Sequence, residues 1–79
     1  MRELKLGLYR HFKGEDKLYR VLGTAIDSET MNEMVIYIAL YGNSIGKMFV
    51  REKSMFLEKI PEGRENPNNQ EYRFEYIES

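Results

Sequence analysis

Apolar side chains recur at every second position in several stretches of this sequence. Over residues 4–12, Leu4, Leu6, Leu8 and Phe12 share one side, while Tyr9 and His11 share the other. That period of two predicts a half-buried strand. Arg10 falls on the leucine side, so the end of this strand is expected to bend or to reach a rim. Residues 19–26 read as a second strand with apolar residues on both faces, and Gly23 in its middle marks a bulge, a bend or a close approach. The clearest strand is 34–41. Met34, Ile36, Ile38 and Leu40 form one face, and Val35, Tyr37, Ala39 and Tyr41 form the other. Near-continuous apolarity of this kind predicts a central strand. The core is expected on the side of Ile36, Ile38 and Leu40, with Val21, Leu22 and Val50 packed nearby. Residues 47–51 and 72–77 supply a fourth and a fifth strand.

The segments between these strands carry turn chemistry. Residues 13–17 are polar around Gly14 and suit a hairpin. Residues 27–33 read as a polar hairpin loop, with Thr30 and Glu33 at capping-box spacing as the alternative of a helical turn. Gly42 and Gly46 bracket a turn. Residues 54–60 predict one or two helical turns with Ser54 as N-cap and Pro61 as limit. These turns would place Met55, Phe56 or Leu57 over an open end of the sheet. Residues 62–71, nearly devoid of apolar side chains, read as a mobile loop. The expected architecture is one mainly β domain over residues 1–79. It is a small five-stranded antiparallel meander, curled into an SH3-like partly open barrel with one short helical turn. A flat sheet capped by a helix is the rival.

Composition narrows the chemistry. Seventy-nine residues, 42% hydrophobic and 32% charged, describe one small globular domain with a thin core. The absence of cysteine excludes disulfides and thiolate zinc sites. No apolar run approaches bilayer length, and the N-terminal residues alternate charge with leucine, so a cytoplasmic location without membrane contact is expected. His11 is the single histidine, and the acid–base partners within reach of a following loop are Asp27 or Glu29. Nothing forms a recognisable nucleophilic triad with it. No cofactor and no metal are expected. The chain is rich in tyrosine, and its aromatics are interleaved with Arg10, Lys13, Arg20, Lys47 and Arg51. Such a mixture can accept an extended peptide, as SH3-type grooves do, or stack bases while cations meet phosphates.

Tyr9, His11, Lys13, Tyr19 and Arg51 are therefore the candidate ligand-binding residues on one exposed patch. The reading is a binding module for a protein or peptide partner. A single-stranded RNA-binding module is the alternative, and a small enzyme using His11 with Glu29 is a second one. A structural reading of the same residues is a polar network in which Tyr9, His11 and Glu29 pin the first loop.

The order of motifs is also familiar. Gly7-Leu8-Tyr9-Arg10-His11-Phe12-Lys13-Gly14 runs into Tyr19-Arg20-Val21-Leu22-Gly23. Ala25, Ser28-Glu29-Thr30, Val35-Ile36-Tyr37, Ala39-Leu40-Tyr41-Gly42, Val50-Arg51, Met55-Phe56-Leu57-Glu58 and Arg73-Phe74 follow. This resembles a family of small bacterial proteins known only as a domain of unknown function, family sixteen fifty-three. Three departures from the family's pattern stand out. Ile26-Asp27 replaces its usual Arg-His pair, Phe49 replaces a tryptophan, and Glu52 replaces a proline. The first departure weakens any idea that a basic loop is essential. The resemblance implies a stand-alone protein without an assigned activity and supplies no catalytic residues.

Overall fold

The computed structural model describes residues 3–78. Met1 and Arg2, with which the alternating N-terminal run begins, and the terminal Ser79 lie outside the described residues. Five strands form one antiparallel sheet: β1 (Gly7–His11), β2 (Leu18–Ile26), β3 (Glu33–Ala39), β4 (Met48–Glu52) and β5 (Phe74–Glu78). A 3-10 turn covers Gly42–Ser44, and a single helical turn, α1 (Lys53–Phe56), follows β4 directly. The spatial order is β4-β3-β2-β1-β5. The first four strands make a meander, and β5 returns to the free side of β1.

In a flat sheet of this order β4 and β5 would stand about 19 Å apart, four strand spacings. Yet the guanidinium carbon of Arg51 on β4 lies 5.6 Å from the ring centre of Phe74 on β5. The sheet is rolled, and its two edges approach each other without pairing. Phe56 of α1 packs inside the roll, stacked on Phe74 at 4.1 Å with the rings 11° from parallel. The result is a mainly β, partly open five-strand barrel with one short helix.

Local chemistry explains the connections. The Asp27 carboxylate accepts the backbone N–H groups of Glu29 and Thr30, which closes the β2–β3 hairpin loop. Glu33 is already in β3, so the hairpin forms and the capping box does not. Gly42 and Gly46 take the positive φ values, +55° and +87°, that turn the chain back towards β4. Leu22 is the extra residue of a bulge: Val21 pairs with Tyr37 and Gly23 with Ile36. The helix is shorter and begins earlier than expected, at Lys53, with Glu52 rather than Ser54 as N-cap. Of the three residues expected to cover the sheet, Phe56 does so; Met55 is exposed and Leu57 is half-buried.

The core occupies the opposite face from the one expected. Tyr9, Val21, Val35, Tyr37, Ala39, Phe56 and Phe74 are buried. Ile36 and Ile38 point to the outer face and are half-buried, while Leu22, Leu40 and Val50 are exposed, Val50 to 64%. On β1 likewise Tyr9 is inside at 1% exposure; Leu6, just before the strand, is exposed, and of the leucine side Phe12, just after it, is buried. Alternation defines two faces but not which of them is inside. Aromatic rings bury the larger areas and reach across the rolled interior, whereas the aliphatic side chains of β3 are shorter. The aromatic face wins the interior.

Two substitutions measure this inversion by urea unfolding. Phe74→Ala is expected to destabilise by about 3–5 kcal/mol, the range for a buried ring. Val50→Ala is expected to change stability by less than about 1 kcal/mol, as a largely exposed side chain should.

Candidate functional site

Strand parity and register assemble the inner face. Tyr9 pairs with Tyr19, His11 with Phe74, Tyr37 with Phe49 and Val35 with Arg51, so these side chains share one side of the sheet. Rolling then separates them by depth. Tyr9 forms part of the floor: its hydroxyl donates to the Lys5 carbonyl at 2.8 Å and accepts the Lys5 N–H at 3.0 Å. It is therefore a core residue and not part of an exposed patch, because the inner face of the roll is deepest at β1 and β3.

The other expected residues lie nearer the mouth. The rings of His11 and Tyr19 stand 4.8 Å and 5.7 Å from Phe74, against which Arg51 also lies. His11, Tyr19 and Arg51 are half-buried and Lys13 is exposed. The structure brings these four together around Phe74 and the first turn. Tyr19 and Tyr41 share a hydrogen bond between their hydroxyls at 2.9 Å, and Arg51 Nε donates to the Tyr37 hydroxyl at 3.4 Å. Lys17 Nζ sits 4.6 Å above the Tyr41 ring. Phe49, 38% exposed, stacks on Tyr37 at 5.7 Å. Phe49 and Tyr41 are thus part of the mouth although they stand outside the five candidates. The signal for Phe49 was present in the sequence, two residues before Arg51 on the same strand face. Tyr41 lies beyond the end of β3, where parity no longer applies.

The charges around this mouth are predominantly positive. Arg73 is paired with Glu58 at 2.6 Å and Lys53 with Glu33 at 3.3 Å. Lys13, Arg51 and Arg64 have no carboxylate partner among the described residues. Burial, then the cations Lys13, Arg51, Arg73 and Arg64, hold the His11 pKa down to about 4 from its ordinary 6.5. The Lys13 N–H donates to His11 Nδ1 at 3.3 Å, which places the proton of the neutral ring on Nε2. Burial and the bond to Tyr41 push the Tyr19 hydroxyl pKa up, so it stays protonated. At neutral pH the mouth offers neutral donors and cations.

Neither the His11–Glu29 pair nor a Tyr9–His11–Glu29 network forms among the described residues. The Glu29 N–H donates to Asp27 within the β2–β3 turn, and the Tyr9 hydroxyl is engaged by Lys5. The residues that do secure β1 come from the 62–71 segment. Asn68 Nδ2 donates to the His11 carbonyl at 3.2 Å, and buried Gln70 donates from Nε2 to the carbonyls of Arg10 and Tyr72. Beside the mouth, a cleft of about 410 Å³ is lined by Phe12, Lys13, Gly63, Arg64, Glu65 and Pro67.

These features define a small partly open β domain with an aromatic floor and a cationic mouth. The chain belongs to the family described as protein of unknown function (DUF1653), whose model matches residues 7–76. It is similar to the crystal structure of a DUF1653 protein from Bordetella bronchiseptica, with 31% sequence identity and a TM-score of 0.76. That similarity covers 95% of this chain and 88% of the other. Comparison with curated proteins gives no match.

His11 gives this site a pH signature. Its folded pKa lies below the unfolded value, so between about 4 and 6.5 the unfolded chain binds more protons. The stabilisation should be complete above pH 6.5 and be lost as pH falls towards 4. His11→Gln should remove about 1–3 kcal/mol of that pH dependence, measured by denaturant unfolding across the window.

A separate change tests the anchoring of the 62–71 segment. Gln70→Ala should cost about 1–3 kcal/mol, because it strips the Arg10 and Tyr72 carbonyls of a donor in a buried setting.

Proposed function

We propose that this chain is a binding module that holds an acidic, extended segment of a peptide or protein partner at the mouth of the aromatic bowl. One observation carries the reading. Arg51 and His11 arrive from strands three places apart in the sheet and both lie against Phe74, and Arg51 has no carboxylate partner among the described residues. A half-buried guanidinium on an aromatic ring gains from a carboxylate that approaches out of bulk water. Tyr19, Tyr41 and Phe49 offer rigid contact area around it at low side-chain entropy. The overall charge of −1 favours a local acidic contact over broad attraction to a polyanion.

No helix among the described residues is long and apolar enough to cross a membrane, and a cytoplasmic setting is part of the proposal. Single-stranded RNA is the second reading, supported by the same mixture of rings and cations. Catalysis by His11 has less support, since no carboxylate bonds to its ring among the described residues.

A random copolymer of glutamate and tyrosine is a suitable probe. It should bind the protein at moderate salt, and Arg51→Ala should weaken binding about tenfold or more while the protein stays folded. Binding of an oligouridylate instead, with affinity falling steeply as salt rises, would replace the peptide reading by the RNA one.

A further inference from the structure

The two edges of the rolled sheet are not equivalent. The segment leading into β5 is paired, because Lys59 bridges Tyr72, the Arg73 N–H donates to the Glu58 carbonyl and the Ile60 N–H to the Glu71 carbonyl, and β5 itself carries the charges of Glu75 and Glu78. β4 pairs with β3 and with no other strand. Its first three residues, Met48-Phe49-Val50, contain neither a charge nor a proline, the usual devices that blunt an edge. Met48 and Val50 are 63% and 64% exposed.

The phase of the ladder fixes what this edge offers. The Ala39 N–H donates to the Lys47 carbonyl, which sets 39 with 47, and therefore 37 with 49, as hydrogen-bonded pairs. The N–H and C=O groups of Met48 and Val50 consequently point away from β3. Alternation sends Phe49 and Arg51 to the bowl side, and Met48 and Val50 to the outer side, with Lys47 immediately before the strand and opposite Ala39.

From these observations we infer that β4 is a strand-addition edge. An extended partner segment pairs with Met48 and Val50 as a sixth strand. It sets acidic and aromatic side chains against Lys47, Phe49 and Arg51, and apolar ones beside Met48 and Val50. The inference deepens the peptide-binding reading and rests on it. Charge selects this occupant over a second copy of the chain. Antiparallel self-pairing centred on Phe49, the register that joins the outward groups of Met48 to those of Val50, opposes Lys47 to Arg51 of the other copy. Like charges directly opposite destabilise a strand pair. Lys47 and Arg51 have no ion pair among the described residues, so an acidic strand meets them unopposed.

The probe is an end-blocked heptapeptide, Thr-Glu-Val-Tyr-Val-Glu-Thr, whose tyrosine opposes Phe49 and whose valines oppose Met48 and Val50. Binding should slow amide hydrogen exchange at Met48 and Val50, followed by NMR, by about tenfold or more. N-methylation of both valines removes two strand hydrogen bonds and should weaken binding about tenfold, while N-methylation of the tyrosine should not. Val50→Pro removes an outward donor at an edge position that tolerates proline, and it should weaken binding to a similar degree. Binding that is lost in Arg51→Ala, yet leaves Met48 and Val50 unprotected, overturns strand addition and keeps the bowl reading. So does a protein that holds the glutamate–tyrosine copolymer and ignores the heptapeptide. If neither probe binds, both proposals fall. Concentration-dependent protection of Met48 and Val50 in the free protein would overturn the acidic partner in favour of self-association.

Discussion

The stack of Phe56 on Phe74 is the contact on which the remaining structure depends. α1 is a single turn without a side-chain cap, too short to persist on its own account. It is placed because it carries one ring into the interior of the roll, against Tyr9, Tyr37 and Phe74. With that ring in position the sheet stays rolled, Tyr9 and Tyr37 pack against it at 5.3 Å each, and Phe74 becomes the floor of a bowl. A small domain has little core to spare, and here most of it is aromatic.

The same roll explains the electrostatics. Each strand contributes at most two polar groups to the inner face, which is unremarkable in a flat sheet. Curvature converges His11, Tyr19 and Arg51 on one ring, with Lys13 at the adjoining turn. Partial burial first, and then the converging cations, keep the imidazole neutral, and the Lys13 N–H orients it. It also leaves a guanidinium whose natural complement is an acid. The shape of the sheet thus creates the chemistry, and no single strand does.

Much of the fold was legible in the sequence because it is written in short-range pattern. The five strands, the irregularity of β2 beside Gly23, the glycine turn at 42–46 and the aromatic cover from Phe56 all rest on local spacing or backbone sterics. The side of the sheet that becomes interior was not legible. β3 is apolar on both faces, so Ile36, Ile38 and Leu40 competed with Val35, Tyr37 and Ala39, and only long-range ring packing decides between them. The same ambiguity on β1 misplaced Tyr9 in an exposed patch. Parity then preserved the rest: His11, Tyr19 and Arg51 are brought together whichever face is inside. Gln70 and Asn68 could not be found by pattern, since their partners are backbone carbonyls some sixty residues away in sequence.

The position of Phe74 has a consequence for how this domain comes into being. β5 pairs with β1, the last strand with the first, so the ring at the centre of the bowl is delivered by the most distant strand pairing in the sheet. Local hairpins β1–β2, β2–β3 and β3–β4 close short loops, whereas joining β5 to β1 must overcome the entropy of a loop that contains the three intervening strands. Before β5 is in place the chain therefore has a meander with an aliphatic outer face and no floor. The aromatic floor and the completed fold arrive in a single event, when β5 joins β1.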